Sequence, residues 1–120
     1  MDSITSSDET LDVFFGNKLR IIQKKRGYRF SVDAVLLSQF IRIRKDEKAI
    51  DLGTGCGILP LVLSQTTLAR SFVGVEIQKE LAELAQKNVA LNGLRTRISI
   101  LHEDLRKLKD LFPAGGFARR

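Results

Sequence analysis

The sequence predicts an α/β fold built on parallel strands, and three observations carry that expectation. From Lys48 onward, short apolar runs alternate with longer amphipathic ones in the order strand, helix, strand, helix, strand. The stretch "GTGCG" at 53–57 places three glycines in five positions between the first run and a helix. Each of the three strand-like runs ends at an acid, Asp51, Glu76 and Asp104. Strands separated by helices lie parallel and are joined by right-handed crossovers, which gives an open α/β sheet.

Taken in order, residues 1–10 read as a polar, frayed tail. Residues 11–47 form an N-terminal unit. In it "LDVFFGNKLRIIQ" reads as a β-hairpin, because Gly16-Asn17 is a two-residue turn signal between apolar runs. "KKRGYRF" follows as a basic loop with the aromatic pair Tyr28 and Phe30. Ser31 caps a helix, "VDAVLLSQFIRI", whose apolar positions Val32, Val35, Leu36, Phe40 and Ile43 recur at helical spacing.

Residues 48–120 form the ligand-binding part. "KAIDL" is a short strand and the glycine loop leads into a helix from about Ile58 to Ala69, with Pro60 in its first turn, where a missing N–H costs nothing. "SFVGVEI" is the second strand. "QKELAELAQKNVALNGL" is an amphipathic helix with the stripe Leu81, Leu84, Ala85, Val89 and Leu91, ended by Asn92-Gly93. "RISILHED" is the third strand, and "LRKLKDLF" supplies one or two helical turns.

At 120 residues, 43% hydrophobic and 28% charged, the chain reads as one globular domain. Its single cysteine, Cys56, excludes an intramolecular disulfide and a cysteine-cluster metal site, and suits a reducing, cytoplasmic setting. No apolar run has transmembrane length and "DSITSSDET" is not a signal peptide, so neither a membrane nor a metal is expected. The net charge of +6 is uneven: residues 18–45 hold nine Lys or Arg against Asp33 alone. Such a block favours a polyanion, nucleic acid above all, though a solvated surface explains it as well.

In an open α/β sheet the ligand sits beyond the carboxyl ends of the strands. The glycine loop leaves the first strand at that place. Its glycines let the backbone approach a ligand, and the helix after it presents unpaired N–H groups to an anion. Glu76 ends the second strand, where an acid accepts hydrogen bonds from both ribose hydroxyls. Asp104 or its neighbouring backbone is placed to meet an adenine amino group. The dinucleotide pattern G-x-G-x-x-G is broken by Ile58, and acids at three strand ends disfavour a diphosphate. S-adenosylmethionine fits better, since it combines a nucleoside with an ammonium group and one carboxylate.

The stretches "DLGTGCGILPLVL", "GVEIQKELAELAQKNVALNGL" and "HEDLRKL" resemble the first three motifs of the class I S-adenosylmethionine-dependent methyltransferases. Upstream, "LRIIQKKRGYRFSVDAVLLSQF" resembles the bacterial tRNA adenine-N6 methyltransferases that act on valine tRNA, of the "methyltransferase small domain" group. The resemblance runs from about Leu11 to Leu111. It implies a Rossmann-like, doubly wound sheet and a tRNA partner. It places Asp51, Gly53 and Gly55 at the methionine end of the cofactor, Glu76 at the ribose and Asp104 at the adenine. Thr54, Gly57, Ile77 and Leu105 complete the cofactor-binding set, and Phe30 and Asp33 close over it. Lys24, Lys25, Arg26 and Arg29 are the candidate RNA contacts.

One departure stands beside these matches. The family carries an Asn-Pro-Pro-aromatic tetrapeptide after a fourth strand, whereas Pro60 and Pro113 here stand in other contexts. The expectation is therefore a sheet truncated after its third parallel strand, without its catalytic half, with no nameable catalytic residue and an exposed sheet edge that favours self-association. Protein-glutamine methylation, a nicotinamide-dependent oxidoreductase and a non-catalytic nucleoside- or RNA-binding fragment remain the competing readings. Among the single residues, Asp33 reads equally as a helix first-turn acid, Cys56 as a small loop filler, and His102 as a structural strand residue.

Overall fold

The computed structural model describes residues 5–26 and 38–107. Strand β1 (Glu9–Phe14) and strand β2 (Leu19–Lys24) form an antiparallel hairpin, with Val13 opposite Arg20 and Phe14 opposite Leu19. The Gly16-Asn17 turn forms as expected. Both residues have positive φ, and the Lys18 N–H donates to the Phe15 carbonyl at 3.2 Å. Positive φ at both central residues matches the right-handed twist of the two strands. Strand β1 starts two residues ahead of Leu11 because the Glu9 carboxylate anchors the chain there. It accepts from the Ser6 N–H and pairs with Lys87 at 3.2 Å.

A second sheet holds β3 (Lys48–Leu52), β4 (Ser71–Glu76) and β5 (Ile98–His102), all parallel, in the order β3-β4-β5. Helices α1 (Ile58–Thr66) and α2 (Lys79–Leu91) are the crossovers, and one 3-10 turn spans Leu105–Lys107. Among the described residues β3 pairs on one side only. The buried core joins Leu19, Ile21 and Ile22 of the hairpin to Leu61, Val62, Phe72, Val89 and Ile98. The hairpin and the parallel sheet therefore share one interior. No helix among the described residues is long and apolar enough to cross a membrane.

Two helix bounds differ from expectation. Helix α1 stops at Thr66 rather than near Ala69, because the chain turns extended at Thr67 and polar groups there take the last carbonyls. The Thr67 hydroxyl donates to the Leu63 carbonyl at 2.8 Å. The Arg97 guanidinium donates to the carbonyls of Ser64, Thr67 and Ala69 at 2.6, 3.0 and 2.9 Å. The helix expected through Ile43 is already over before Ile41, and Phe40 is 79% exposed instead of lining its apolar stripe. In "IRIR" at 41–44 the two isoleucines pack against the core while both arginines stay exposed, a period of two that an extended segment satisfies and a helix does not. The basic-loop residues Tyr28, Arg29 and Phe30, together with Ser31, Asp33 and the rest of that helix up to 37, lie outside the described residues.

Candidate functional site

The carboxyl ends of β3 and β4 bring the glycine loop and two acids together. At the end of β3 the chain turns back on β4: the N–H groups of Gly53 and Thr54 both donate to the Val75 carbonyl, at 2.8 and 3.0 Å. Gly53, Gly55 and Gly57 have φ of 74, 58 and 87°, a left-handed region that costs a side-chain-bearing residue energy. At Gly57 a Cβ would also lie 3.3 Å from that of Ala85, so this glycine lets α1 seat against α2.

Glu76 is buried, and two backbone donors fix its carboxylate. The Gly55 N–H donates to Oε1 at 2.9 Å and the Gln78 N–H to Oε2 at 3.0 Å. Each carboxylate oxygen accepts two hydrogen bonds, so these contacts orient the group and leave one acceptor site on each oxygen for a ligand diol. Asp51 is half-buried at the end of β3. Burial raises its pKa above the usual carboxylate value, and the nearby Glu76 charge adds to the rise. The Thr54 hydroxyl lies close enough to oppose that rise. It does not complete a hydrogen bond, and Thr54 Oγ1 is a buried polar atom without a partner among the described residues.

Helix α1 begins at this loop with no side-chain cap and no acid in its first turn, so its N-terminal N–H groups face the site uncompensated. Ile77 is exposed beside Glu76, and its carbonyl meets His102 Nε2 at 2.9 Å, which gives the only histidine a structural partner. Behind the strand ends, a cavity of about 570 Å³ opens between α1 and β3, lined mainly by Ile41, Ile43, Leu59, Leu63 and Phe72, with Asp51 as its charged member.

Other candidates are placed differently. Asp104 stands two residues beyond the end of β5, and Arg106 holds its carboxylate: the Arg106 Nε meets Oδ1 at 3.1 Å and Oδ2 at 2.9 Å. These contacts lower the Asp104 pKa to about 2. Lys24 is not free for phosphate either, since its ammonium sits 3.0 Å from Asp8 and 3.8 Å from Glu9. Lys25 and Arg26 remain exposed, while Arg29, Phe30 and Asp33 fall outside the described residues.

Sequence reasoning missed Asn88. It is fully buried on α2 and bonds the peptide groups of Ile22 on both sides: the Ile22 N–H donates to Oδ1 at 2.7 Å, and Nδ2 donates to the Ile22 carbonyl at 3.0 Å. The same Nδ2 donates to the Cys56 carbonyl at 2.9 Å. One amide thus ties the hairpin, α2 and the glycine loop together. One turn on, Asn92 repeats the pattern on Arg20, accepting from its N–H at 2.9 Å and donating to its carbonyl at 2.7 Å. The available signal was spacing, because Asn88 follows Leu81, Leu84 and Ala85 at stripe positions, where a polar residue needs a partner.

A family model described as Protein-L-isoaspartate(D-aspartate) O-methyltransferase (PCMT) matches residues 12–107. The chain belongs to this family, one of the class I S-adenosylmethionine-dependent methyltransferases. Curated relatives of this chain include the tRNA1(Val) (adenine(37)-N6)-methyltransferase of Tolumonas auensis, 29% identical over 94 residues, with 78% of this chain and 40% of the relative covered. The enzyme of the same name from Bacteroides thetaiotaomicron is 31% identical over 81 residues, covering 67% and 34%. The chain thus spans about 40% of the length of the first of these. Solved structures share its fold. TYW2 of P. horikoshii, in complex with MeSAdo, matches with a TM-score of 0.71 at 23% identity, over 90% of this chain and 39% of the other. TrmK of M. capricolum, in complex with S-adenosyl-homocysteine, matches at 0.58 and 23%, over 68% and 36%.

Proposed function

We propose that this chain is the cofactor-binding part of an S-adenosylmethionine-dependent methyltransferase that modifies the N6 of adenine in tRNA. One observation carries the reading: the Glu76 carboxylate, pre-oriented by the Gly55 and Gln78 N–H groups at the mouth of a parallel sheet, presents its remaining acceptor sites to a ribose. The rest of the site suits the same molecule. The uncapped start of α1 suits a carboxylate, Asp51 an ammonium group, and the unpartnered Thr54 hydroxyl one further polar atom. Gly53 has open space where a side chain would stand, so a ligand can approach the backbone there. Ile77 offers an apolar face to the adenine, with the backbone around Asp104 and Leu105 beside it. Phe30 and Asp33 complete the proposed set.

S-adenosylmethionine supplies, when bound, a methyl group on an electrophilic sulfonium. The chain's own contribution is to hold and orient the nucleoside by Glu76 and the glycine loop and to set negative charge, from Asp51 and Glu76, near the cation. Orientation of this kind is a large part of catalysis in group transfer. No residue of this chain is assigned to the transfer itself. The tRNA acceptor rests on the relatives' names and on the basic composition of residues 18–45, and a cytoplasmic site of action follows from it.

Calorimetry with S-adenosylmethionine, S-adenosyl-homocysteine and NAD tests the cofactor, with binding of the first two and none of the third as the expected result. Glu76→Ala should weaken S-adenosylmethionine by about 1.5–3 kcal/mol for each ribose bond lost. Unchanged affinity in that variant would remove Glu76 from the site. The family description favours a second reading, methyl transfer to a protein carboxylate. Comparing an unmodified tRNA transcript with an isoaspartyl peptide as acceptor, in the full-length protein, separates the two.

A further inference from the structure

The hairpin leaves apolar side chains exposed on one face. Its inner face, toward the core, carries Asp12 and Gln23, joined by a hydrogen bond from Gln23 Nε2 to Asp12 Oδ2 at 2.7 Å, beside Phe14, Leu19 and Ile21. Its other face carries Leu11, Val13 and Phe15, which are 37, 46 and 41% exposed, with the buried Ile22 opposite Leu11. The register sets Val13 against Arg20, and the turn sets Phe15 against Lys18. Lys18 and Arg20 are both exposed, and no ion pair engages either among the described residues. Phe15 has φ of 52°, a left-handed conformation that is strained for an aromatic residue. Such strain persists where the surroundings impose it, and it concentrates at functional positions. The hairpin here thus holds a partly exposed ring, at a backbone position strained for it, beside two exposed cations that no ion pair engages among the described residues.

We infer that this face of the hairpin, Leu11, Val13 and Phe15 with Lys18 and Arg20, is the RNA-contacting surface, with a base stacked on Phe15 and phosphates on the two cations. The inference rests on the tRNA reading above. Single-stranded nucleic acid is bound by this combination of an exposed ring and a cationic track. A protein partner would match the apolar stripe but leave Lys18 and Arg20 without a role. The face also replaces Lys24, which Asp8 and Glu9 already occupy.

The test is anisotropy of a fluorescein-labelled, unmodified tRNA transcript against the full chain across a salt series. Phe15→Asn removes the ring and tolerates positive φ, so the hairpin keeps its fold. It should weaken binding roughly fivefold or more with the salt slope unchanged. Lys18→Ala/Arg20→Ala should flatten the log–log slope by about two units. Lys45→Ala/Arg70→Ala, exposed cations at the opposite end of the parallel strands, should leave the slope as it is. Binding within twofold of the wild type for Phe15→Asn, an unaltered slope for the double variant, or no tRNA binding by the wild-type chain overturns the inference. So does self-association that Phe15→Asn abolishes without any effect on RNA, which would mark a protein-binding face. Calorimetry with S-adenosylmethionine on the same samples keeps the two readings apart, because loss of cofactor binding counts against the proposed function and not against this surface.

Discussion

Removing the Asn88 amide tests whether the hairpin is part of the site's framework. Asn88→Ala removes three hydrogen bonds, from the Ile22 N–H and to the carbonyls of Ile22 and Cys56. Each buried group that loses its partner costs about 1–3 kcal/mol, so the three together set a range of about 3–9 kcal/mol. Relaxation and entry of water bring the outcome toward the lower end, about 3–5 kcal/mol. That is a large share of the ~5–15 kcal/mol that holds a typical domain together. Asn88→Asp should cost at least as much, since a carboxylate would face two carbonyls with no donor to offer. Asn92→Ala is the control. It removes a matching set of bonds to Arg20, but Asn92 is only half-buried, so water replaces the lost partners and the cost is about 1 kcal/mol or less. Urea unfolding of the purified variants gives the numbers, and hydrogen exchange at the Ile22 amide reports the local contact. A loss below about 1 kcal/mol for Asn88→Ala, or equal losses for the two asparagines, would refute the reasoning.

Asp104 and Asp51 predict opposite acid responses. The folded pKa of Asp104, about 2, lies below its ordinary 3.8, so its stabilising contribution is present above pH ~4 and is lost as pH falls toward 2. Asp104→Asn should flatten the acid limb of the stability–pH curve in that window, and an unchanged limb would show that Arg106 does not hold it in solution. The pKa of Asp51 is raised by burial and by Glu76, so the folded state binds the extra proton and stability falls as pH rises from 3.8 through the raised value. Asp51→Asn should therefore stabilise the free protein at neutral pH while weakening a cationic ligand, and thermal melts with calorimetry should show the two effects with opposite sign. Arg97→Lys should lower stability by about 2 kcal/mol or more, because a lysine cannot reach three carbonyls at once; a melt matching the wild type would show that α1 ends without it.

What was legible in the sequence was whatever local chemistry decides. Apolar runs of strand length, a glycine loop and Asn92-Gly93 each fix a short piece of backbone by itself, so the alternation of strands and helices could be read in order. Glu76 was legible for the same reason: a strand end beside a glycine loop has one place to put its acid. Phe40 was misread because a helical count from Leu36 and an alternating count through "IRIR" both pass through that region, and only burial decides between them. The partners of Asn88 and Arg97 were not legible. They lie 66 residues away in one case and 28 to 33 in the other, and no local pattern names a carbonyl so distant. Both residues do one job that local sequence cannot: they satisfy backbone groups that the fold itself leaves open, at the edge of β2 and at the end of α1. The glycine loop depends on one of them. Its glycines permit the left-handed backbone but do not select it, and the Asn88 bond to the Cys56 carbonyl, together with the Gly53 and Thr54 bonds to Val75, holds the loop in the shape in which Gly55 reaches Glu76.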